Sequence, residues 1–337
     1  MFLRMAVVSD VEHVEGIFMS LDTLSDGNLS RTFKTGEKPI MDLILAATPS
    51  LLWGIYALIL PVIGGSSRRQ ILGVTTGCLL FALAAFPFVP HSYTWLTVLV
   101  SFVSGVLWTI GCYGQICGFK EIGVSSTMPI STGEQLVGTS LVGVLFLGDW
   151  ASTQAKTVGF AAIALFVVGV AFTSYVERRG DEHAVQDETG ESITPMDNMI
   201  TGLTVITISS IGYVGYVAII QIFSINSFDA MLPQAVGMFV GGLVLGGREP
   251  GKFSRQTALL LIPGVLWAIG NLILMISNSR LGVAIAFPMS QMGLIISTIG
   301  GMVFLHESKT RKERISISVG LTLVVVDIML IALTKTL

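Results

Sequence analysis

The sequence predicts an all-α integral membrane protein whose ten transmembrane helices form two inverted five-helix repeats. Three observations predict it. Hydrophobic residues make up 52% of the 337-residue chain and charged residues 12%, about half the charged share of a soluble domain, so there is too little charge to cover a water-facing surface. Apolar stretches of roughly 20 residues, the length that crosses ~30 Å of hydrocarbon, recur along the chain. Finally, one phrase occurs twice. GVLWTIG (Gly105–Gly111) returns as GVLWAIG (Gly264–Gly270), and IGVSSTMPIS (Ile122–Ser131) as LGVAIAFPMS (Leu281–Ser290), the same 159 residues apart (105 to 264, 122 to 281). After a one-residue gap the echo reaches VLFLGD (Val144–Asp149) and MVFLHE (Met302–Glu307), each ending an apolar stretch with an acid.

Residues 1–40 fit this pattern poorly. Their apolar run, Met5–Val8, is broken at once by Ser9 and Asp10, short of the roughly 7–15-residue core of a secretory signal. They read as a disordered or weakly amphipathic extension, or as sequence translated upstream of a start at Met41. The second reading is preferred, because Met41-Asp42-Leu43 opens the first span directly. The first repeat, residues 41–176, holds spans Met41–Ile63, Ile71–Pro90, Trp95–Phe119, Ile122–Leu147 and Thr157–Tyr175. Residues 177–198 follow, with Glu177, Asp181, Glu182, Asp187, Glu188, Glu191 and Asp197 against Arg178 and Arg179; this composition reads as a solvated acidic linker. The second repeat, residues 199–337, holds Met199–Phe223, Ala230–Gly246, Leu259–Ser277, Leu281–Leu305 and Ile315–Leu333. Periodicity within the spans is weak, as in helices apolar all round, and lipid requires helices because isolated strands leave backbone groups unsatisfied. An odd number of spans per repeat turns the second half upside down. That places a substrate site near mid-membrane, between the halves of a two-repeat transporter.

Twelve of the 19 basic residues fall in the connections after spans 1, 3, 5, 7 and 9: Arg68, Arg69, Lys120, Arg178, Arg179, Arg248, Lys252, Arg255, Lys309, Arg311, Lys312 and Arg314. Positive loops stay cytoplasmic, which puts both termini outside. Cys78, Cys112 and Cys117 lie within apolar spans and behave as small hydrophobes; no metal spacing or disulfide framework is implied. The histidines lie in the tail, in loops or at a helix end, and no nucleophile, base and orienter converge. The chain therefore reads as neither an enzyme nor a protein with a cofactor or metal.

Function then rests on the polar minority inside the spans. In the fourth span Thr127, Ser131, Glu134, Gln135 and Thr139 recur at three- and four-residue spacing and share one helix face. Hydroxyls and amides suit a monosaccharide, whose hydroxyls both donate and accept, although each Ser or Thr equally serves to bond its own helix or a neighbour. Glu134 differs, because an ionisable group at mid-span costs at least ~2.5 kcal/mol on insertion scales; it is a candidate proton carrier or substrate contact. Asp327 is the other mid-span charge and a further candidate for proton handling. Pro129 and Pro288 occupy matching positions in the fourth and ninth spans, where each predicts a helix break, and paired breaks point to a binding site. Trp53, Trp108, Trp267, Tyr213 and Tyr216 lie within spans, where aromatic faces can stack on a sugar ring. Trp95 and Trp150 suit the membrane interface. Gln115, Gln221, Gln234, Asn271 and Gln291 complete the intramembrane amides. The substrate set read from these residues is Trp53, Trp108, Gln115, Ser131, Gln135, Gln234, Asn271 and Gln291.

Trp108-x-x-Gly111-x-x-x-Gln115, GVSSTMPISTGEQLVG (Gly123–Gly138) and GVLFLGDW (Gly143–Trp150) resemble the glucose/ribose porter family of the drug/metabolite transporter superfamily, and MLPQAVGM (Met231–Met238) and IGYVGYV (Ile211–Val217) resemble it in the second half. The resemblance covers Met41–Leu337. It implies a ten-helix, inverted-repeat carrier in the cell membrane that takes up glucose or a related monosaccharide, coupled to protons. Ribose or another small metabolite, or export in place of uptake, are the alternatives. The chain departs from the family pattern at Cys112, Glu134 and Asp327.

Overall fold

Side-chain caps start half of the helices. Ser66, Thr94, Ser152, Asn226 and Ser254 each accept a backbone N–H two or three residues ahead, satisfying a donor that has no partner within its own helix. Thr310 and Glu313 form a reciprocal capping box, Glu313 N to Thr310 Oγ1 at 3.1 Å and Thr310 N to Glu313 Oε2 at 2.9 Å. In the computed structural model, which describes residues 38–147, 152–177, 185–186, 192–193, 195–281 and 283–334, the helices are as follows. The first half holds α1 (Lys38–Ile63), α2 (Ser67–Ala85), α3 (Trp95–Ile122), α4 (Val124–Val142, running into a π-helical turn over Gly143–Leu147) and α5 (Thr153–Thr173). The second holds α6 (Pro195–Ile222), α7 (Ser227–Gly246), α8 (Arg255–Leu259), α9 (Leu261–Leu281), α10 (Val283–Gln291), α11 (Gly293–Val303) and α12 (Arg311–Thr334). Inside the acidic connector a two-residue antiparallel ladder pairs β1 (Val185–Gln186) with β2 (Ser192–Ile193). Residues 1–37, Asp149, Trp150 and most of the connector lie outside the described residues.

Among the described residues eight helices are long and apolar enough to cross a membrane: α1, α2, α3, α5, α6, α7, α8 with α9, and α12. Their outward faces carry large apolar side chains such as Ile44, Val62, Phe160, Val167, Ile211, Val244 and Met329, the surface a lipid solvent favours. The chain is a multi-pass membrane protein. Two of the ten predicted spans fall outside this set. The fourth, α4, is lowered in hydropathy by its own polar residues, and the ninth is divided into α10 and α11 at Met292.

The helices pack across the halves more than within them. α3 lies against α6 and α7, and the equivalent α9 lies against α1 and α2; α4 packs on α6 as α10 and α11 pack on α1; α2 meets α7, and α5 meets α12. The repeated phrase explains these contacts. A Cβ on Gly105 would strike the Gln234 carbonyl of α7, and one on Gly264 the Val74 carbonyl of α2. At the other end of the phrase, Gly111 seats the Tyr213 ring of α6 and Gly270 seats Trp53 of α1. Glycine lets two helix backbones meet without intervening side chains.

Described residues from each of the five basic connections meet at one end of the bundle. Arg69 bonds Gln256 Oε1 (2.7 Å), Pro250 O (2.6 Å) and Glu249 (3.4 Å). Lys120 reaches Gly65 O, Lys309 reaches Ile122 O, and Lys312 reaches Glu177. At the opposite end Ser92 N donates to Asp229 and Arg280 pairs with Asp42. There burial and the Asp229 carboxylate hold the Tyr93 phenol above its ordinary pKa.

Candidate functional site

The two copies of the phrase meet at the bundle centre. Trp108 and Trp267, its equivalent tryptophans, lie 4.4 Å apart between ring centroids. Trp267 stacks on Trp53 (6.3 Å, 15°), and Tyr213 sets its edge to Trp108 (6.3 Å, 77°). The Trp53 indole N–H donates to the Trp267 carbonyl at 3.2 Å. An aromatic wall contributed by α1, α3, α6 and α9 is thus locked by its own stacking, with each ring seated on a glycine or another ring.

Beside this wall lies a cavity of about 100 Å³, room for a few waters at ~30 Å³ each. It is lined by Trp53 and Tyr56 of α1, Trp108 and Gln115 of α3, and Met128, Thr132, Gln135, Leu136 and Thr139 of α4. Tyr213, Tyr216 and Val217 of α6, Trp267 and Leu274 of α9, and Phe287 and Gln291 of α10 complete it. Among the described residues no charged side chain lines it. Its polar groups are prearranged: Tyr213 Oη donates to Gln115 Oε1 (3.0 Å), and Gln115 Nε2 and Gln135 Nε2 both donate to Ser131 Oγ (3.0 Å each). Gln291 Nε2 rests on Ser290 Oγ at 3.1 Å, and the Tyr56 hydroxyl lies 3.2 Å from Cys112 Sγ. Rigid aromatic faces with a few fixed amides and hydroxyls are the composition of a site for a small, uncharged, polar ligand.

Of the residues singled out from sequence, Trp53, Trp108, Gln115, Gln135 and Gln291 line this cavity. Ser131, fully buried, stands behind it as the acceptor for two of its amides. Gln234 and Asn271 lie instead in a second, smaller cavity of about 20 Å³ with Cys78 and Phe81, and Trp267 borders both; Gln234 Nε2 donates to Ser104 Oγ at 2.8 Å. Glu134, expected on the same wall as Gln135, does not line the cavity. It sits toward α6, where the exposed Thr207 donates to its Oε1 at 2.9 Å. One residue along a helix is a 100° turn, and that turn separates Gln135 from Glu134. Asp327 also lies away from the cavity, fully buried in α12, and neither of its oxygens has a hydrogen-bond partner. Pro129 lies inside α4, which runs on through it from Val124 to Val142. In the ninth span the interruption falls at Met292, four residues beyond Pro288.

Tyr56, Tyr213, Tyr216 and Trp267 complete the wall, and the substrate set read from sequence omits them. A signal for them was present. Trp53 and Tyr56 in the first span match Tyr213 and Tyr216 in the sixth, 160 residues on and with the same three-residue spacing, so all four project from one helix face in each half.

Residues 44–334 match the family described as sugar transport proteins. A putative sugar uptake protein of Listeria monocytogenes is 45% identical over 88% of this chain and 100% of its own length. The glucose uptake protein GlcU of Bacillus subtilis is 38% identical over 88% of this chain and 99% of its own. A probable glucose uptake protein of Priestia megaterium is 36% identical, covering 88% of this chain and 100% of its own.

Proposed function

Because the chain belongs to the family of sugar transport proteins, we propose that it is a secondary carrier importing a monosaccharide, glucose first, across the cell membrane by proton symport. The observation that carries the reading is the central cavity, walled by tryptophan and tyrosine, edged by glutamine and threonine, and, among the described residues, without a lining charge. An aromatic face packs on the apolar side of a pyranose ring, and amides and hydroxyls answer ring hydroxyls in both directions. A carrier of cationic drugs would draw on an acidic lining, and a carrier of phosphorylated metabolites on a basic one.

In this reading residues 41–176 and 199–337 are two five-span units of opposite orientation, joined by residues 177–198, with α4 and the α10–α11 pair as the fourth and ninth of ten spans. The reciprocal packing of α3 on α6 and α7 and of α9 on α1 and α2 supports it. So do the matched glycine seats at 105 and 264, and at 111 and 270. Trp53, Trp108, Gln115, Gln135 and Gln291 contact the sugar from the cavity wall; Ser131, Gln234 and Asn271 hold that wall from behind and beside it. Glu134 and Asp327 are the proton-coupling candidates, since an ionisable group inside the membrane marks a path for ions or protons. Counterflow in proteoliposomes tests the reading: labelled glucose exchanges against unlabelled glucose, and ribose more slowly. Ribose exchanging faster moves the assignment to a ribose carrier; exchange of neither, with cationic dye transport, makes the chain an exporter.

A further inference from the structure

Glu307 and its neighbour Lys309 form no part of the cavity, yet they make a concentrated set of contacts between the halves. Glu307 closes the second copy of the apolar phrase, in the connection between α11 and α12, and the fold turns it onto the start of α4. Its Oε1 accepts from Val124 N at 2.6 Å and from Ser125 N at 3.2 Å. Its Oε2 accepts from Ser125 N at 3.3 Å and from the Ser125 hydroxyl in a short hydrogen bond. The first amides of α4 have no partner within the helix, and a carboxylate there also meets the positive end of its dipole. Two glycines make the approach possible. Gly123 precedes α4 at φ +83°, and a Cβ on it would lie 2.6 Å from the Glu307 carboxylate; a Cβ on Gly301 would lie 2.8 Å from it. Lys309 crosses alongside, donating to the last carbonyl of α3, Ile122 O, and to Ser126 Oγ, both at 3.1 Å.

These contacts lie just beyond one end of the cavity lining. They lie on the face where the basic connections converge, one helical turn from Met128, the first residue of α4 to line the cavity. From Met128 the lining continues through Thr132, Gln135 and Thr139, away from Glu307. Every bond made by Glu307 is to a group that water satisfies equally well once the carboxylate withdraws, so parting costs little beside separating apolar helices. Glu307 is half-buried, within reach of that water. His306, which delivers it, sits at φ +51°, a backbone conformation that side chains rarely adopt.

We propose that Glu307, seconded by Lys309, is the gating residue that holds the cavity shut at its basic end, and that transport requires its carboxylate to leave the first turn of α4. The proposal rests on the carrier reading only in supposing that both ends open in turn. Its test contains no sugar, so its failure is distinguishable from a wrong substrate.

Met128→Cys protein is reconstituted in sealed vesicles and labelled with a bulky membrane-impermeant maleimide, added to one face or the other. The same protein without Met128→Cys corrects for Cys78, Cys112 and Cys117. With Glu307 intact, labelling from the basic face is slow. Glu307→Gln keeps the shape and removes the charge; labelling from that face then rises about tenfold, the factor that ~1.4 kcal/mol produces, and labelling from the opposite face falls. Lys309→Met moves both rates the same way by a smaller factor. Glu307→Ala is the second variant should Glu307→Gln fail to yield folded protein, as judged by its elution profile in detergent. Unchanged labelling from both faces in folded Glu307→Gln or Glu307→Ala overturns the proposal.

Discussion

Ser131 is fully buried and touches no ligand space, yet two cavity amides depend on its oxygen. In Ser131→Ala, Gln115 Nε2 and Gln135 Nε2 both lose their acceptor. Gln135 is half-buried against the cavity and can turn to water, so its loss is small. Gln115 is 6% exposed and held at its other end by Tyr213, so its N–H finds another partner only by leaving its present orientation. A buried donor left unpaired costs ~1–3 kcal/mol, and the amide escapes that cost by abandoning the orientation in which it meets a sugar hydroxyl. The Michaelis constant for the transported sugar therefore rises roughly 5- to 150-fold, while the limiting rate changes less. The assay is counterflow over a range of sugar concentrations, with folded protein normalised by its melting profile in detergent. Ser297→Ala is the matched control, away from the cavity lining. Its buried hydroxyl bonds the Gly293 and Leu294 carbonyls of its own helix, so its constant stays within about twofold. A folded Ser131→Ala carrier with the wild-type constant would refute the two-amide account of the wall.

Gly105→Ala and Gly264→Ala each force a methyl group into a carbonyl of the opposite half and destabilise by about 1–3 kcal/mol as overpacked cores do; similar losses of melting temperature are expected for the pair, and a neutral result for either argues against matched contacts. Trp267→Ala removes the ring bordering both cavities and costs ~3–5 kcal/mol of stability, whereas Trp267→Phe retains much of the stack and part of the transport, measured by the same counterflow. If a proton rides on Glu134 or Asp327, Glu134→Gln or Asp327→Asn abolishes accumulation driven by a pH gradient and leaves sugar exchange running; wild-type pH dependence in both variants removes them from coupling.

What the sequence made legible follows from what a repeat can encode. The positions of Trp108 and Trp267 were readable because equivalence at a fixed interval survives without knowledge of helix rotation. The convergence of Arg69, Lys120, Lys309 and Lys312 at one end followed from charge alone. Rotation was not readable. A helix apolar all round has no period to orient it, so Glu134 and Gln135 could not be assigned to different sides from their neighbours. Nor could Gln234 be placed behind Ser104 rather than in the central cavity. The contact of Glu307 with Val124 joins residues 183 apart; only the acid ending the apolar phrase hinted that something polar was needed there.

The two helices too polar or too short for a hydropathy count are the two that border the cavity at matching positions, and they differ in shape. α4 is continuous through Pro129, whereas its counterpart is parted at Met292 into α10 and α11. A broken backbone at membrane depth survives only where protein or a water-filled cavity receives its free groups, and Gln291, at the end of α10, faces the cavity. If the halves are inverted copies and Glu307 closes the basic end, both as proposed, two unequal equivalents are one state of a pair. In the other state the shapes exchange: α4 loosens where Glu307 releases it, and the junction at Met292 straightens. Amide hydrogen exchange reads this directly. With Glu307→Gln, protection falls at residues 124–128 and rises at residues 291–294, in the absence of sugar. Loss of protection at the first site with no gain at the second would mean that α4 merely frays, and the exchange of shapes would have to be abandoned.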